Sequence, residues 1–259
     1  MTHDIIVLGA GMVGVGCALH LQAKGQAVAL VDRRAPGLET SYGNAGIIQR
    51  EAIGPYALPR DLGFLLSGMA NQRVDVRYQA SDAARMLGPL WAYYRNSAPA
   101  AYRRISREYE TLIALSLDTH QALMNDAGAQ ALVAGQGYLM LYRTERELHS
   151  FFEVADERAQ QGVNHIKLSG ADVAREEPAL VGHFAGAVRW TDPWAISSPG
   201  DLVQAYARLF EQRGGALHLG DATTLRKTDH GAWQVSTASG HTLTAQQVVV
   251  ALGPWTTQL

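Results

Sequence analysis

One cysteine, Cys17, occurs in 259 residues, so no internal disulfide can form and a reducing compartment is the expected setting. Charge of one sign is also missing. Lys and Arg number 22 against 24 Asp and Glu, and this near balance of −2 lacks the basic bias of a nucleic-acid partner. No apolar run is long enough to span a bilayer. With the first strand pattern starting almost at Met1, no signal peptide is expected. The nine histidines form no H-x-H, H-E-x-x-H or Cys/His cluster, so no metal site is expected. Internal repeats and low-complexity segments are absent too. What remains is a globular chain, 47% apolar and 18% charged, with room for one large domain or two modest ones. A cytoplasmic setting is expected, with peripheral contact at the inner face of the cytoplasmic membrane left open. The short run Leu62–Leu66 suits either core or surface.

The first thirty-two residues carry the strongest signal. A buried-strand pattern, Asp4–Leu8, leads into Gly9-Ala-Gly11-Met-Val-Gly14. A helical run to Lys24-Gly25 and a second apolar strand, Val28–Asp32, follow. With 26 glycines in the chain, a bare G-x-G-x-x-G would arise by chance roughly a quarter of a time, so its β-α-β setting carries the weight. In that setting Gly9 permits the tight turn, Gly11 lets a pyrophosphate approach the backbone, and Gly14 lets helix and sheet pack closely. The helix N-terminus offers free N–H groups and partial positive charge to phosphates. Asp32, twenty-one residues after Gly11, is placed to accept the hydroxyls of an adenosine ribose. Cys17 sits among Val15, Ala18 and Leu21 of the helix and reads as core.

A nicotinamide-type fold would offer a third parallel strand soon after Asp32. Here a loop, Arg33–Ile48, intervenes. Helical stretches are expected at Asp82–Arg95 and Ala101–Met124, and a strand at Gly137–Tyr142. A capping box is expected at Thr144–Glu147, a strand at Val163–Leu168, and a second capped start at Ser169–Asp172. The α/β pattern returns at Ser198-Pro-Gly-Asp201, a helix start with Pro in its first turn; Gly214-Gly215 ends that helix. A parallel strand, Ala216–Leu219, is followed by three short strands: Thr223–Thr228, Ala232–Thr237 and Thr242–Ala245. Gln247–Ala251 is apolar enough for a strand buried on both faces. The expected architecture is an α/β, Rossmann-like dinucleotide domain with an antiparallel β excursion, made from residues 1–50 and 198–259. An α+β domain, 51–197, splits it.

These residues resemble the D-amino acid oxidase family of FAD-dependent oxidoreductases, over nearly the whole chain. The resemblance rests on Gly9-x-Gly11-x-x-Gly14, Asp32-Arg33, Thr40-Ser-Tyr-Gly-Asn-Ala-Gly46, Gly137–Thr144 and the closing Val-Val-Ala-Leu-Gly-Pro-Trp255. Within the family the chain looks most like bacterial D-amino acid dehydrogenases. The fold it implies is the glutathione-reductase type. The cofactor it implies is FAD, with Asp32 at the adenosine ribose, Arg33 by the ribose or phosphates, and Thr40 and Ser41 at the pyrophosphate or ribityl chain. It further implies Asn44, Ala45 and Gly46 beside the isoalloxazine, Ala222 by adenine, and Gly253 at the pyrophosphate. The reaction it implies is oxidation of a D-amino acid: hydride passes to flavin N5, and the imino acid then hydrolyses. Electrons continue to a quinone or to oxygen. Glycine or sarcosine oxidation, and non-catalytic FAD or ADP binding, are the alternatives.

Other readings stand beside these. Thr40-Ser41 suits a plain turn with Asn44 left-handed. Arg95, Arg103, Arg104 and Arg107 suit a solvated helical face, or contact with anionic lipid or substrate. Tyr138, Tyr142 and Trp194 suit packing as well as a substrate cavity. No residue is marked as catalytic. Family members run well past the Gly-Pro-Trp turn. Only eight residues follow Ala251, too few to cover a buried strand, so the chain is expected to be the N-terminal portion of a longer enzyme that supplies its substrate anchor elsewhere.

Overall fold

Four consecutive apolar residues, Ile5–Leu8, are all buried in the first strand, and their period fixes it at the centre of a sheet. The computed structural model describes residues 2–74 and 77–259; Met1, Asp75 and Val76, which fall within the expected domain ranges, lie outside the described residues. In chain order, β1 (Thr2–Leu8), α1 (Met12–Ala23) and β2 (Val28–Asp32) form the opening unit. The loop 33–46 reaches β3 (Ile47–Ile48). Four helices follow: α2 (Leu62–Met69), α3 (Ala83–Asn96), α4 (Pro99–Ile113) and α5 (Ser116–Ala127). Then come β4 (Val133–Tyr142), α6 (Glu145–Ala159), β5 (His165–Ser169), α7 (Gly170–Glu176) and β6 (Gly186–Ile196). The chain closes with α8 (Pro199–Gln212), β7 (Ala216–Leu219), β8 (Arg226–Lys227), β9 (Trp233–Ser236) and β10 (Thr242–Val250).

The first sheet has the order β7-β2-β1-β10-β9-β8. Its β7-β2-β1-β10 portion is parallel, and β9 and β8 continue it antiparallel. Thus β7, some 180 residues away in sequence, takes the place beside β2 that the Arg33–Ile48 loop leaves vacant. Helix α8 delivers it there. Ser198 caps that helix by accepting from Asp201 N, and Pro199 presets its first turn. Its apolar stripe, including Leu202, Tyr206, Leu209 and Phe210, is buried in one core with Val15, Ala18 and Leu19 of α1. Leu123 and Met124 of α5 complete that core. The opposite face of the sheet buries Ile6, Leu8, Ala29 and Val31 against Val235, Leu243 and Ala245.

The second sheet is antiparallel. β6 pairs with β4 along most of its length, while β5 and β3 pair with its two ends on the other side. Trp190, at the middle of β6, is fully buried with Val188, Ala155 and Val163.

Four expected elements are revised. The run Ala101–Met124 is two helices, because the chain turns at Ala114–Leu115 and α5 redirects Leu123 and Met124 onto α8. Thr223–Thr228 is mostly a one-turn helix, Ala222–Thr224. The Asp221 side chain accepts from Thr223 N there, and only Arg226–Lys227 is strand. Thr242–Ala245 and Gln247–Ala251 form a single strand, β10, which pairs with β1 from Thr244 to Val250. Its second half is less buried than its apolarity suggested, because β9 reaches only to Ala245; Gln247 and Val250 are exposed. At Thr144 the box is half-formed. The hydroxyl accepts from Glu147 N at 3.3 Å and donates to the Glu147 carboxylate at 2.7 Å, and that carboxylate caps no backbone amide. At Ser169 the reciprocal box is complete, and donation from the Ser169 hydroxyl and backbone amide holds the Asp172 carboxyl below the usual carboxylate range.

Candidate active site: a cleft at the carboxyl ends of the parallel strands

In an open α/β sheet the ligand crevice lies where the parallel strands end. Here β1, β2 and β10 end around a cleft of about 370 Å³. Its wall is the turn after β1, where Gly9 has φ +101° and its carbonyl faces α1. A Cβ on Gly9 would lie 2.4 Å from Ala251 O, and one on Gly14 only 1.7 Å from Gly9 O. Side chains are therefore excluded from both positions by backbone. The result is a bare turn and a helix N-terminus open to a ligand.

Asp32 closes that turn. One carboxylate oxygen accepts from Ala10 N at 2.6 Å, and the other accepts from Arg34 N at 3.0 Å. The charge of Asp32 thus orders the glycine turn, and the residue lines the cleft. Gly11 caps α1 without a side-chain oxygen. Ser41, twenty-nine residues away, supplies one by accepting from Met12 N at 3.0 Å. Arg33 donates to Glu39 Oε1 through Nε and Nη2 at 3.1 and 2.9 Å, and its guanidinium sits 4.5 Å from the centroid of Trp255. On the opposite lip, bonds from Thr223 hold the Asp221 carboxyl below its ordinary range, and the Arg33 charge adds to the effect.

Of the residues singled out from sequence, Gly9, Gly11, Asp32, Arg33, Thr40, Ser41, Ala222 and Gly253 line this one cleft. Gly14 lies beneath the turn. Asn44, Ala45 and Gly46 lie outside the lining. They carry the loop from the cleft to the second sheet: Gly46 N donates to Asn44 Oδ1 at 2.8 Å, and Ile196 N donates to Gly46 O at 2.6 Å. Within residues 40–46 the left-handed residue is Gly46, at φ +65°, and not Asn44.

Sequence reasoning missed Asp221 and Glu39. The Asp-x-Thr cap after β7 was a usable signal for the first; nothing local marks the second. Tyr138 donates to the buried carboxylate of Glu51 at 2.8 Å. Tyr142 packs against Phe151, and burial pushes its hydroxyl up to about 12. Trp194 packs at the edge of the first core. Among the described residues no group of three His, Cys, Asp or Glu is placed to hold a metal ion.

The adenine-dinucleotide portion of FAD suits these residues. The backbone is bare where phosphates approach, amide donors stand at a helix N-terminus, and a carboxylate ends β2. A split parallel sheet, an antiparallel excursion and this cleft together define a nucleotide-binding flavoprotein fold. A family model described as DAO, FAD dependent oxidoreductase, matches residues 4–259, and the chain belongs to that family. It is 30% identical to the D-amino acid dehydrogenase of Methylobacterium nodulans over 98% of this chain and 62% of that protein. It is 31% identical to that of Cereibacter sphaeroides, over 98% and 59%. The chain therefore spans about three-fifths of the length of these relatives. In fold it is similar to glycine oxidase from Geobacillus kaustophilus, with TM-score 0.67, 19% identity, and coverage of 100% of this chain and 57% of that one.

Proposed function

We propose that the protein oxidises the Cα–N bond of a D-amino acid to an imino acid, which water converts to a 2-oxo acid and ammonia, with a quinone or oxygen as final electron acceptor. The observation that carries this reading is the convergence of Gly9, Gly11, Asp32, Ser41 and Gly253 on one cleft in a chain of the DAO family. Bound FAD would supply the two-electron acceptor for such a reaction. The residues would divide the binding as follows. Asp32 orders the turn and receives the ribose. Arg33 and Ser41 face the phosphates, with the α1 amides behind them. Ala222 and Gly253 present backbone to adenine and pyrophosphate. Asn44, Ala45 and Gly46 run toward the flavin ring.

In this reading residues 1–50 and 198–259 form the FAD-binding domain and 51–197 the substrate domain. The protein works in the cytoplasm, peripherally at the inner face of the membrane. The named relatives favour a D-amino acid over glycine or sarcosine.

The test is a visible spectrum after incubation with FAD and desalting, followed by anaerobic addition of D-alanine, L-alanine, glycine or sarcosine. Retained flavin bands are expected of this chain, and bleaching by D-alanine is expected of the longer enzyme that supplies the substrate anchor. Bleaching only by glycine or sarcosine would move the substrate to a small amine. Flavin retained but never bleached would leave nucleotide binding alone, and a colourless protein would overturn the cofactor assignment for these residues.

A further inference from the structure

Glu51 is a carboxylate only 1% exposed, and it does not line the cleft. Among the described residues no Lys, Arg or His forms an ion pair with it. Burying a charge is costly unless hydrogen bonds replace the lost water. Three donors do so here. The Tyr138 hydroxyl and Gln49 Nε2 both donate to Oε1 at 2.8 Å, and Arg50 N donates to Oε2 at 3.1 Å. Burial and this carboxylate push the Tyr138 hydroxyl above its ordinary range, so it stays a donor.

In sequence this carboxylate lies five residues after Gly46, which ends the loop proposed to run toward the flavin ring. Between them lies β3, only two residues long. Its pairs are Ile47 with Ala195 and Ile48 with Trp194, preceded by the bond from Ile196 N to Gly46 O. So short a strand needs a second anchor, and residues 49–53 supply it. Ser116, at the start of α5, donates to Gln49 O at 2.7 Å. Arg50 Nη2 donates to Gln161 O, just past α6, at 3.3 Å. Ile53 is buried with Trp190 and Val188.

Strand β4 is shaped to meet that anchor. Its register with β6 slips between Gln136, opposite Trp194, and Tyr138, opposite Trp190. Gly137 lies between them at φ +77°, and a Cβ there would sit 2.2 Å from Trp190 O. Only glycine fits this irregular step. Past it, the Tyr138 hydroxyl reaches Glu51, eighty-seven residues away in sequence. Strands β3 and β4 lie on opposite sides of β6 and share no backbone pair. The bond from Tyr138 to Glu51 therefore ties the segment after β3 to β4 across the strand between them.

We infer that Glu51, with Tyr138 as its partner, is a positioning residue that fixes the loop 44–46 against the sheet of the substrate domain. The inference rests on the reading of that loop as flavin-facing. The nucleotide cleft lies outside its reach, since neither Glu51 nor Tyr138 lines it. The test uses the flavin-loaded holoenzyme and apoprotein prepared from it, as wild type, Tyr138→Phe, Glu51→Gln and Ile53→Val. FAD and ADP affinities are measured, with the visible circular dichroism of bound flavin. Tyr138→Phe and Glu51→Gln should each weaken FAD about tenfold, as loss of a bond to a charged group does, and leave ADP within about twofold. The dichroism of the bound flavin should change with them. The double variant should lose less than the product of the two single losses, because the residues act as one tie. Ile53→Val loosens the same core without touching the network and should leave both affinities unchanged. Tyr138→Phe keeps the ring and its packing, so the test stands even where the Glu51 variant melts early. Equal losses of FAD and ADP, the same FAD loss in Ile53→Val, or unchanged dichroism would overturn the inference and leave Glu51 a packing residue. Wild-type protein that binds ADP but no FAD would overturn the flavin reading and the inference with it. Flavin-loaded variants that match wild type would overturn the inference alone.

Discussion

Adding a single methyl group at Gly14 should be far more damaging than adding the same group two residues further along the same helix. At Gly14 an added Cβ lies 1.7 Å from Gly9 O and 2.8 Å from Gly9 C, both backbone atoms that no rotamer change can move. Reaching the 3.0 Å floor of real contacts requires α1 and the turn to separate by about 1.3 Å, the difference between 3.0 and 1.7 Å. Val15, Ala18 and Leu19 of the same helix are fully buried and would be drawn out of contact with the sheet. A gap of 0.5–1 Å already forfeits about a quarter to a half of each dispersion contact. Overpacking typically costs about 1–3 kcal/mol, and this case falls at or above the upper end. For a chain of this size, about 3 kcal/mol lowers the melting temperature by roughly 6–12 °C. Gly16 meets nothing within 4 Å, so Gly16→Ala should stabilise the helix by about 0.5–1 kcal/mol. Thermal melts of both variants, with flavin retention after desalting, make the comparison. A Gly14→Ala protein that melts with wild type and keeps its flavin would refute the close-approach argument. Equal losses at both positions would refute it as well.

Asp32→Ala removes the acceptor for Ala10 N and Arg34 N, charge-assisted bonds worth about 1.5–3 kcal/mol each when lost. FAD affinity should fall at least tenfold, read by titration of flavin fluorescence, and Asp32→Asn should fall between Asp32→Ala and wild type. Ser169→Ala breaks the capping box of α7 and should cost about 1 kcal/mol in urea unfolding while leaving flavin binding unchanged. Burial lowers the pKa of His3, His120 and His218 from 6.5, with repulsion from His218 adding to the shift of His3 and repulsion from His241 to that of His218. The unfolded state therefore binds protons more readily, and stability should be complete above about pH 6.5 and decline as pH falls toward the lower folded values. His120→Gln should flatten that decline in unfolding curves taken at several pH values; an unchanged slope would remove His120 from the account.

The opening β-α-β unit was legible because every signal in it is local. The apolar run of Ile5–Leu8, the glycines at 9, 11 and 14, and the acid ending Val28–Asp32 all lie within one supersecondary motif. The capped starts at Ser169 and Ser198 were legible for the same reason, since a cap involves residues three apart. The break between α4 and α5 was not, because it depends on Leu123 and Met124 finding α8, eighty residues onward. Gln247–Val250 looked like a strand buried on both faces, yet its exposure depends on how far β9 reaches. Local residue order was enough for the βαβ turn, its need for glycine and its closing carboxylate. Long-range packing set which strand fills the place beside β2, that Ser41 caps α1 across twenty-nine residues, that Asp221 and Glu39 line the cleft, and that α2 and α3 turn leucines outward. Periodicity reports that a helix has an apolar face; whether anything packs against that face depends on contacts between residues distant in the chain.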